Sequence, residues 1–233
     1  MIRAVIYDMN GVLVDDEHLH FELFRDVLAE SEGIALDESD YLSKYLGFDD
    51  RGCFTAAITN AGRALSSTRL QKLIDQKARL YLERAAEGLR LFPGAAASMN
   101  DLDRSFHLAV CSGALRAEVE LVLKLLGVRE LVQAVIAAED TERCKPDPEG
   151  YLLTLDALRA HVGEDLEAAH CLVIEDSLAG VEAAKSAGMW AIGLEHTYPA
   201  PELRSAGADA VLQDLTQLDR NAVVGLFTPE ISP

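Results

Sequence analysis

The sequence predicts an α/β fold: a Rossmann-like parallel sheet with an all-helical unit inserted early in the chain. Three observations predict it. Short apolar runs recur near residues 2–7, 107–111, 133–138, 170–175, 190–194 and 209–212. Helical patterns lie between most of them, and such alternation builds a parallel sheet with helices on both faces. The interval from 16 to 90 breaks the alternation and holds helical patterns alone. The expected division is a sheet core of residues 1–15 and 91–233 and a helical unit of residues 16–90.

The first run, Ile2 to Tyr7, ends abruptly in Asp8, with Asn10 and Gly11 just beyond. An apolar run of this length fits a buried strand of a parallel sheet. Asp8 then sits at the carboxyl end of the strand, where open α/β sheets place their ligands. A carboxylate there serves as nucleophile, metal ligand or both. It also fits a plain turn before glycine. The inserted interval carries helical patterns over His18–Glu32, Asp50–Ala61 and Ser67–Glu87. Its exits are the Asp15-Asp16 corner and the Phe92-Pro93-Gly94 turn.

The next strand, His107–Cys111, ends in Ser112 and Gly113. The serine hydroxyl and the following N–H groups suit a phosphate oxygen. Ser112 equally fits a cap for the helix of Glu118 to Leu126. Lys145 follows in Cys144-Lys145-Pro146-Asp147-Pro148. Two prolines stiffen that turn, and a rigidly held ammonium suits a transferring phosphoryl group. An ordinary exposed lysine before a helix starting near Pro148 is the alternative. The strand of Cys171–Ile174 ends in two adjacent acids, Glu175 and Asp176. Adjacent carboxylates repel unless a cation compensates. A hard dication with oxygen ligands fits, Mg²⁺ first among them. Asp176 also fits a helix cap, with Glu175 solvated. A helix rich in small residues follows and closes near Gly188.

Composition bounds the partners. The 233 residues are 49% hydrophobic, enough for a sizeable core. The net charge of −18 argues against nucleic acid. A phosphorylated ligand then needs a local cluster of cations and a metal within a cleft. There is no apolar stretch near the ~20 residues that span a bilayer, and no signal-peptide pattern. Cys53, Cys111, Cys144 and Cys171 show no CxxC pairing, which reads as reduced thiols in a cytoplasm. A monomer is expected, and the tail Thr228 to Pro233 is expected to fray.

Taken together, the four pieces resemble the haloacid dehalogenase-like hydrolases: D-x-[D]-G after a strand, then S-G, then K-P, then E-D-S-x-x-G-V-x-A-A-x-x-A-G-M. The resemblance spans nearly the whole chain. It implies that Asp8 attacks phosphorus and forms an aspartyl-phosphate. It implies Mg²⁺ held by Asp8, the backbone carbonyl of Asn10, and Asp176, with Glu175 beside or behind. Ser112, the Gly113 N–H and Lys145 would bind phosphoryl oxygens, and residues 16–90 would form a closing cap. The Glu175-Asp176 pair argues against the metal-free dehalogenase branch. The lack of lysine between Asp15 and Phe24 argues against the phosphonate-cleaving branch.

Asn10 departs from the pattern. The family's phosphatases carry there a second aspartate, which protonates the leaving oxygen and then activates water. An amide does neither at neutral pH, and losing such a group typically costs ~10²–10⁴-fold in rate. The residue marks either a slow or binding-only natural variant or an introduced substitution.

The wording around the first motif is similar to the β-phosphoglucomutase and small-metabolite phosphatase subgroup. His20 then matches a cap-hinge histidine, though it also fits simple packing between cap and core. Gly47 with Arg51 resembles a cap loop that meets the far end of the substrate, at a spacing longer by one residue. Lys77 matches a cleft-facing cap lysine, or else a solvated helix residue. Leu115 stands where mutases keep a phosphate-gripping lysine, with Arg116 as a possible substitute. The displaced clamps favour a Mg²⁺-dependent phosphatase of a small phosphorylated metabolite, a sugar phosphate first. A phosphosugar mutase and a non-catalytic phosphometabolite binder are the alternatives.

Overall fold

The structure is a computed structural model that describes residues 1–227. The tail from Thr228, expected to fray, lies outside the described residues.

Strand β1 (Ala4–Tyr7) is buried along its whole length, because it lies mid-sheet with helices on both faces. A two-residue strand β2 (Val14–Asp15) leads into four helices: α1 (Glu17–Glu32), α2 (Glu38–Lys44), α3 (Asp50–Asn60) and α4 (Ser67–Ala85). Strand β3 (Arg90–Leu91) returns antiparallel to β2, pairing Val14 with Leu91 and Asp15 with Arg90. The two chain crossings into the helical unit are thus bound side by side. The chain continues as α5 (Ala95–Leu102), β4 (His107–Cys111), α6 (Arg116–Leu126), β5 (Val132–Ile136), α7 (Glu149–Val162), β6 (Cys171–Glu175) and α8 (Leu178–Ser186). It ends with β7 (Trp190–Leu194), α9 (Ala200–Ser205), β8 (Ala210–Leu212) and α10 (Arg220–Phe227).

The main sheet is parallel, in the order β5-β4-β1-β6-β7-β8. From β1 the chain builds outward on both sides, so the reversal of direction falls at β1. Ligands of open α/β sheets bind at such a point, beyond the strands' carboxyl ends. Tyr7 is in register with Val110 and with Ile174. The residues just past all three strands therefore meet at one edge. One face of the sheet buries Val5, Tyr7, Val110 and Ile174 with Met99 and Val122. The other buries Ile6, Ala109 and Val173 with Leu155 and Val181.

The inserted helices keep a core of their own around Phe24, Val27, Phe54, Ile58 and Leu73, against which Leu115 from the sheet side packs. Side-chain oxygens start three of the four: Asp37 accepts from Asp40 N, Asp49 from Gly52 N at 2.7 Å and Ser66 from Arg69 N at 3.2 Å. Each such cap is worth ~1 kcal/mol. The four cysteines are free thiols. No described helix is long and apolar enough to cross a membrane.

Candidate active site

Past the ends of β1, β4 and β6 stand Asp8, Ser112 and the Glu175-Asp176 pair. Lys145 reaches them from the loop before α7, out of a turn whose Lys145–Pro146 peptide is cis. Its Nζ lies 2.6 Å from Asp8 Oδ1 and 2.7 Å from Glu175 Oε1. Asp8, Glu175 and Asp176 each offer an oxygen within 4.8 Å of the others, and all three are buried.

The three carboxylates are not equivalent. Burial opposes ionisation of Glu175, yet Lys145, the Ser177 N–H and the Tyr151 hydroxyl hold it below the usual carboxylate range. Its Oε1 takes Lys145 and Tyr151, and its Oε2 takes the N–H groups of Asp176 and Ser177 and the Ser177 hydroxyl. A Cβ at Gly180 would overlap this carboxylate. Glu175 is a saturated anchor that fixes Lys145. Burial pushes Asp8 up to about 7, with Lys145 pulling down and Glu175 pushing up. Burial, then Glu175 and Asp8, push Asp176 well above its ordinary range. Asp8 and Asp176 are thus two adjacent oxygen donors short of positive charge. That donor set fits Mg²⁺. The turn makes room for the Asp176 carboxylate: Gly11 has φ +75°, and a Cβ there would collide with it.

Ser112 does not cap α6, whose preceding residue Leu115 makes no side-chain cap. Its Oγ accepts from Ala114 N at 3.1 Å and donates to Asn10 Oδ1 at 3.4 Å. The Gly113 N–H has no hydrogen-bond partner among the described residues. Ser177, not Asp176, caps α8, accepting from Gly180 N at 3.0 Å.

A buried polar chain leads from Asn10 into the helical unit. Asn10 Nδ2 lies 3.0 and 3.1 Å from the two Asp16 oxygens and 3.1 Å from His20 Nε2. Asp16 also accepts from Tyr81 at 2.6 Å. Burial opposes its charge, but His20, Tyr81 and Asn10 hold it below the usual range. Lys77 Nζ lies 2.8 Å from His20 Nδ1, 2.5 Å from Asp50 Oδ1 and 4.6 Å from the centre of the Phe24 ring. His20 Nε2 also lies 3.3 Å from Asp16 Oδ2; burial and Lys77 oppose a charge on the ring, but Asp16 and Glu118 raise its pKa above the ordinary value. Glu118 of α6 is buried behind this chain, and its Oε1 has no hydrogen-bond partner.

A cavity of about 270 Å³ covers the site. Asp8, Asn10, Ser112, Gly113, Lys145 and Asp176 line one end, and His20 and Gly47 line it from the helical unit. Arg51 and Arg116 are not on its wall. Arg116 is drawn away by Asp140 and the Val135 carbonyl, and Arg51 is exposed one residue into α3. Lys77 is neither solvated nor on the wall; it is fully buried behind it.

A family model described as haloacid dehalogenase-like hydrolase matches residues 2–188. The chain belongs to the haloacid dehalogenase-like hydrolases. Among curated relatives of this hydrolase, the phosphorylated carbohydrates phosphatase of Thermotoga maritima is 32% identical, covering 91% of this chain and 94% of that protein. The β-phosphoglucomutase of Bacillus subtilis is 27% identical over 93% of this chain and 92% of its own. Among solved structures, CbbY from Rhodobacter sphaeroides in complex with phosphate has a TM-score of 0.80 at 26% identity, covering 94% of this chain and 96% of that one.

Several residues of the hydrolase site carry no signal in the sequence. Tyr151 anchors Glu175, and Thr197 donates to Asp176. His196 Nδ1 sits 2.7 Å from the Gly11 carbonyl and its ring stacks on Phe92 at 3.9 Å, which holds the Gly11 turn. Asp16 had a signal, the paired acids Asp15-Asp16, but it reads as a corner.

Proposed function

We propose that the protein is a Mg²⁺-dependent phosphomonoester hydrolase acting on a small phosphorylated metabolite, with Asp8 as nucleophile. The observation that carries this is the buried Asp8 carboxylate, held 2.6 Å from Lys145 and beside Asp176 at the floor of the cavity. Asp8, the Asn10 carbonyl and Asp176 would hold Mg²⁺. When bound, it neutralises the donors and the phosphoryl oxygens so that one anion can approach another.

The chain's own residues supply the rest. Lys145, the Ser112 hydroxyl and the Gly113 N–H orient the phosphoryl group and take up its charge. An Asp8 oxygen forms the bond to phosphorus as the bond to the leaving oxygen breaks, giving an aspartyl-phosphate that water then cleaves. Asn10 has no proton to give the leaving oxygen and no lone pair basic enough to activate water. Turnover by this chain is therefore slow. Residues 16–90 act as the cap, and the β2–β3 pair acts as its hinge. The reduced thiols and acidic surface suit a cytoplasmic monomer.

The test is phosphate release from sugar phosphates and other small esters, with Mg²⁺ or EDTA, by this protein and by Asn10→Asp. Release that depends on Mg²⁺ and rises in Asn10→Asp supports the reading. Release unaffected by EDTA overturns the metal assignment. The likeness to the β-phosphoglucomutase of Bacillus subtilis favours a second reading, a phosphosugar mutase. Isomerised product without net phosphate would establish that reading. A binding role follows if neither protein turns over any ester.

A further inference from the structure

The cavity has two ends of unlike composition. At the reacting end, Lys145 faces Asp8, Glu175 and Asp176. A dication there balances the set, and one phosphoryl group can be received. The far end is built by the helical unit, and its wall carries Glu17, Asp49 and Asp50 beside the rings of Phe24, Tyr41 and Phe48. Among the described residues of the wall, the lysine and arginine side chains are Lys145 and Arg143. Arg143 is already held by Asp147 at 3.0 Å and Glu149 at 3.3 Å. Behind the far wall Lys77 stands against Asp50, Asp16 and Glu118, and His20, which lines the wall, faces Asp16, so this layer adds no net positive charge.

Two of the far-end carboxylates, Glu17 and Asp49, also have acceptor capacity left over. Glu17 takes the Tyr41 hydroxyl at 2.5 Å through Oε1. Asp49 gives Oδ1 to the Gly52 N–H. Asp50 gives Oδ1 to Lys77, while its Oδ2 is buried with no hydrogen-bond partner. That oxygen is closed off from the cavity, so the acceptors within a ligand's reach are on Glu17 and Asp49. Acidic acceptors beside aromatic faces suit a group that donates hydrogen bonds and presents either a flat C–H face or a cation.

Resting on the phosphatase reading, we propose that the substrate's far end carries hydrogen-bond donors, as hydroxyl or ammonium groups, and no second anion. Glu17 and Asp49 are the residues that select for it. A bisphosphate would place its second phosphate against these carboxylates, with Arg143 already paired and the exposed Arg51 off the wall. Like-charge contact of this kind costs several kcal/mol.

The experiment is calorimetric binding to the full chain with Mg²⁺, with phosphate release followed in parallel. Wherever turnover occurs, kcat/KM replaces Kd. The ligands are inorganic phosphate, glucose 6-phosphate, glucosamine 6-phosphate and glucose 1,6-bisphosphate. Inorganic phosphate probes the reacting end alone, so failure of phosphate and every ester to bind removes the phosphatase reading itself. With phosphate bound, glucose 6-phosphate or glucosamine 6-phosphate should be favoured over the bisphosphate by about tenfold or more. A smaller preference, or a preference for the bisphosphate, overturns the proposal. Comparing the two monophosphates separates hydroxyl from ammonium recognition. Glu17→Gln should narrow the monophosphate-to-bisphosphate ratio, and an unchanged ratio would take Glu17 out of the selection.

Discussion

Replacing Asn10 by aspartate tests the chemistry most directly. The new carboxyl would take the place of an amide that lies 3.0 and 3.1 Å from the Asp16 oxygens. Two ionised carboxylates at that separation repel by roughly 5 kcal/mol at an effective dielectric near 20. That corresponds to about four pKa units, from which the nearby His20 subtracts. The pair would therefore share one proton at neutral pH, much as like carboxylates do in other acid dyads. Residue 10 could then donate that proton to a leaving oxygen, with an expected gain of ~10²–10⁴-fold. The assay is kcat/KM for an alkyl phosphate and for p-nitrophenyl phosphate. The alkoxide needs the proton and the nitrophenolate does not, so the gain should be large for the first and small for the second. It should also fade as pH rises through the raised pKa. An equal gain on both esters, or none on the alkyl ester, would refute the argument.

Other outcomes follow from the same geometry. Asp8→Asn should abolish turnover even with Asn10→Asp; retained steady-state activity would remove Asp8 as nucleophile. Asp176→Ala should raise the Mg²⁺ concentration needed for half-maximal rate, and an unchanged requirement would remove it as a ligand. Asp8 has its pKa raised from 3.8 to about 7. The folded state then binds the extra proton between those values, so metal-free stability should fall as pH rises from about 4 to 7, by roughly 4 kcal/mol at most. Urea denaturation in EDTA checks the sign, and added Mg²⁺ should flatten the profile.

Much of the core was legible because its chemistry is local in sequence. Each of three strands is an apolar run that ends directly in a residue of the candidate site, Asp8, Ser112 or Glu175-Asp176. A parallel sheet then brings those ends together whatever lies between. Helix α2 was not legible: seven residues, capped by Asp37 and burying only Tyr41, give no apolar period. The two-residue β2–β3 ladder has no pattern to show. The fates of single charges were also unreadable, since partners far along the chain decide them. Arg116 is claimed by Asp140, 24 residues away. Lys77 is buried because Asp50 and His20, 27 and 57 residues away, meet it. Asp16 is only six residues from Asn10, but their contact needs the turn at Gly11 to fold back.

The buried chain behind the cavity is unbalanced, and the imbalance has a measurable sign. Asp16, Asp50 and Glu118 face Lys77 and His20 across the seam between α6 and the helical unit. Burial raises the Glu118 pKa, while Lys77 and His20 pull it down. Lys77→Met would leave three acids facing one imidazole, and breaking a buried pair in this way costs ~3–5 kcal/mol. Glu118→Gln removes an acid from the side already in excess, and an amide can donate as well as accept. It should be neutral or stabilising, whether His20 carries one proton or two. Combining the changes should cost less than Lys77→Met alone, because the lysine's loss then leaves one fewer charge uncompensated. Urea denaturation of the four proteins measures the coupling. Strictly additive effects would mean that Glu118 and Lys77 do not sense each other, and the seam would then be held by packing of Leu121 against Leu23 and Tyr81.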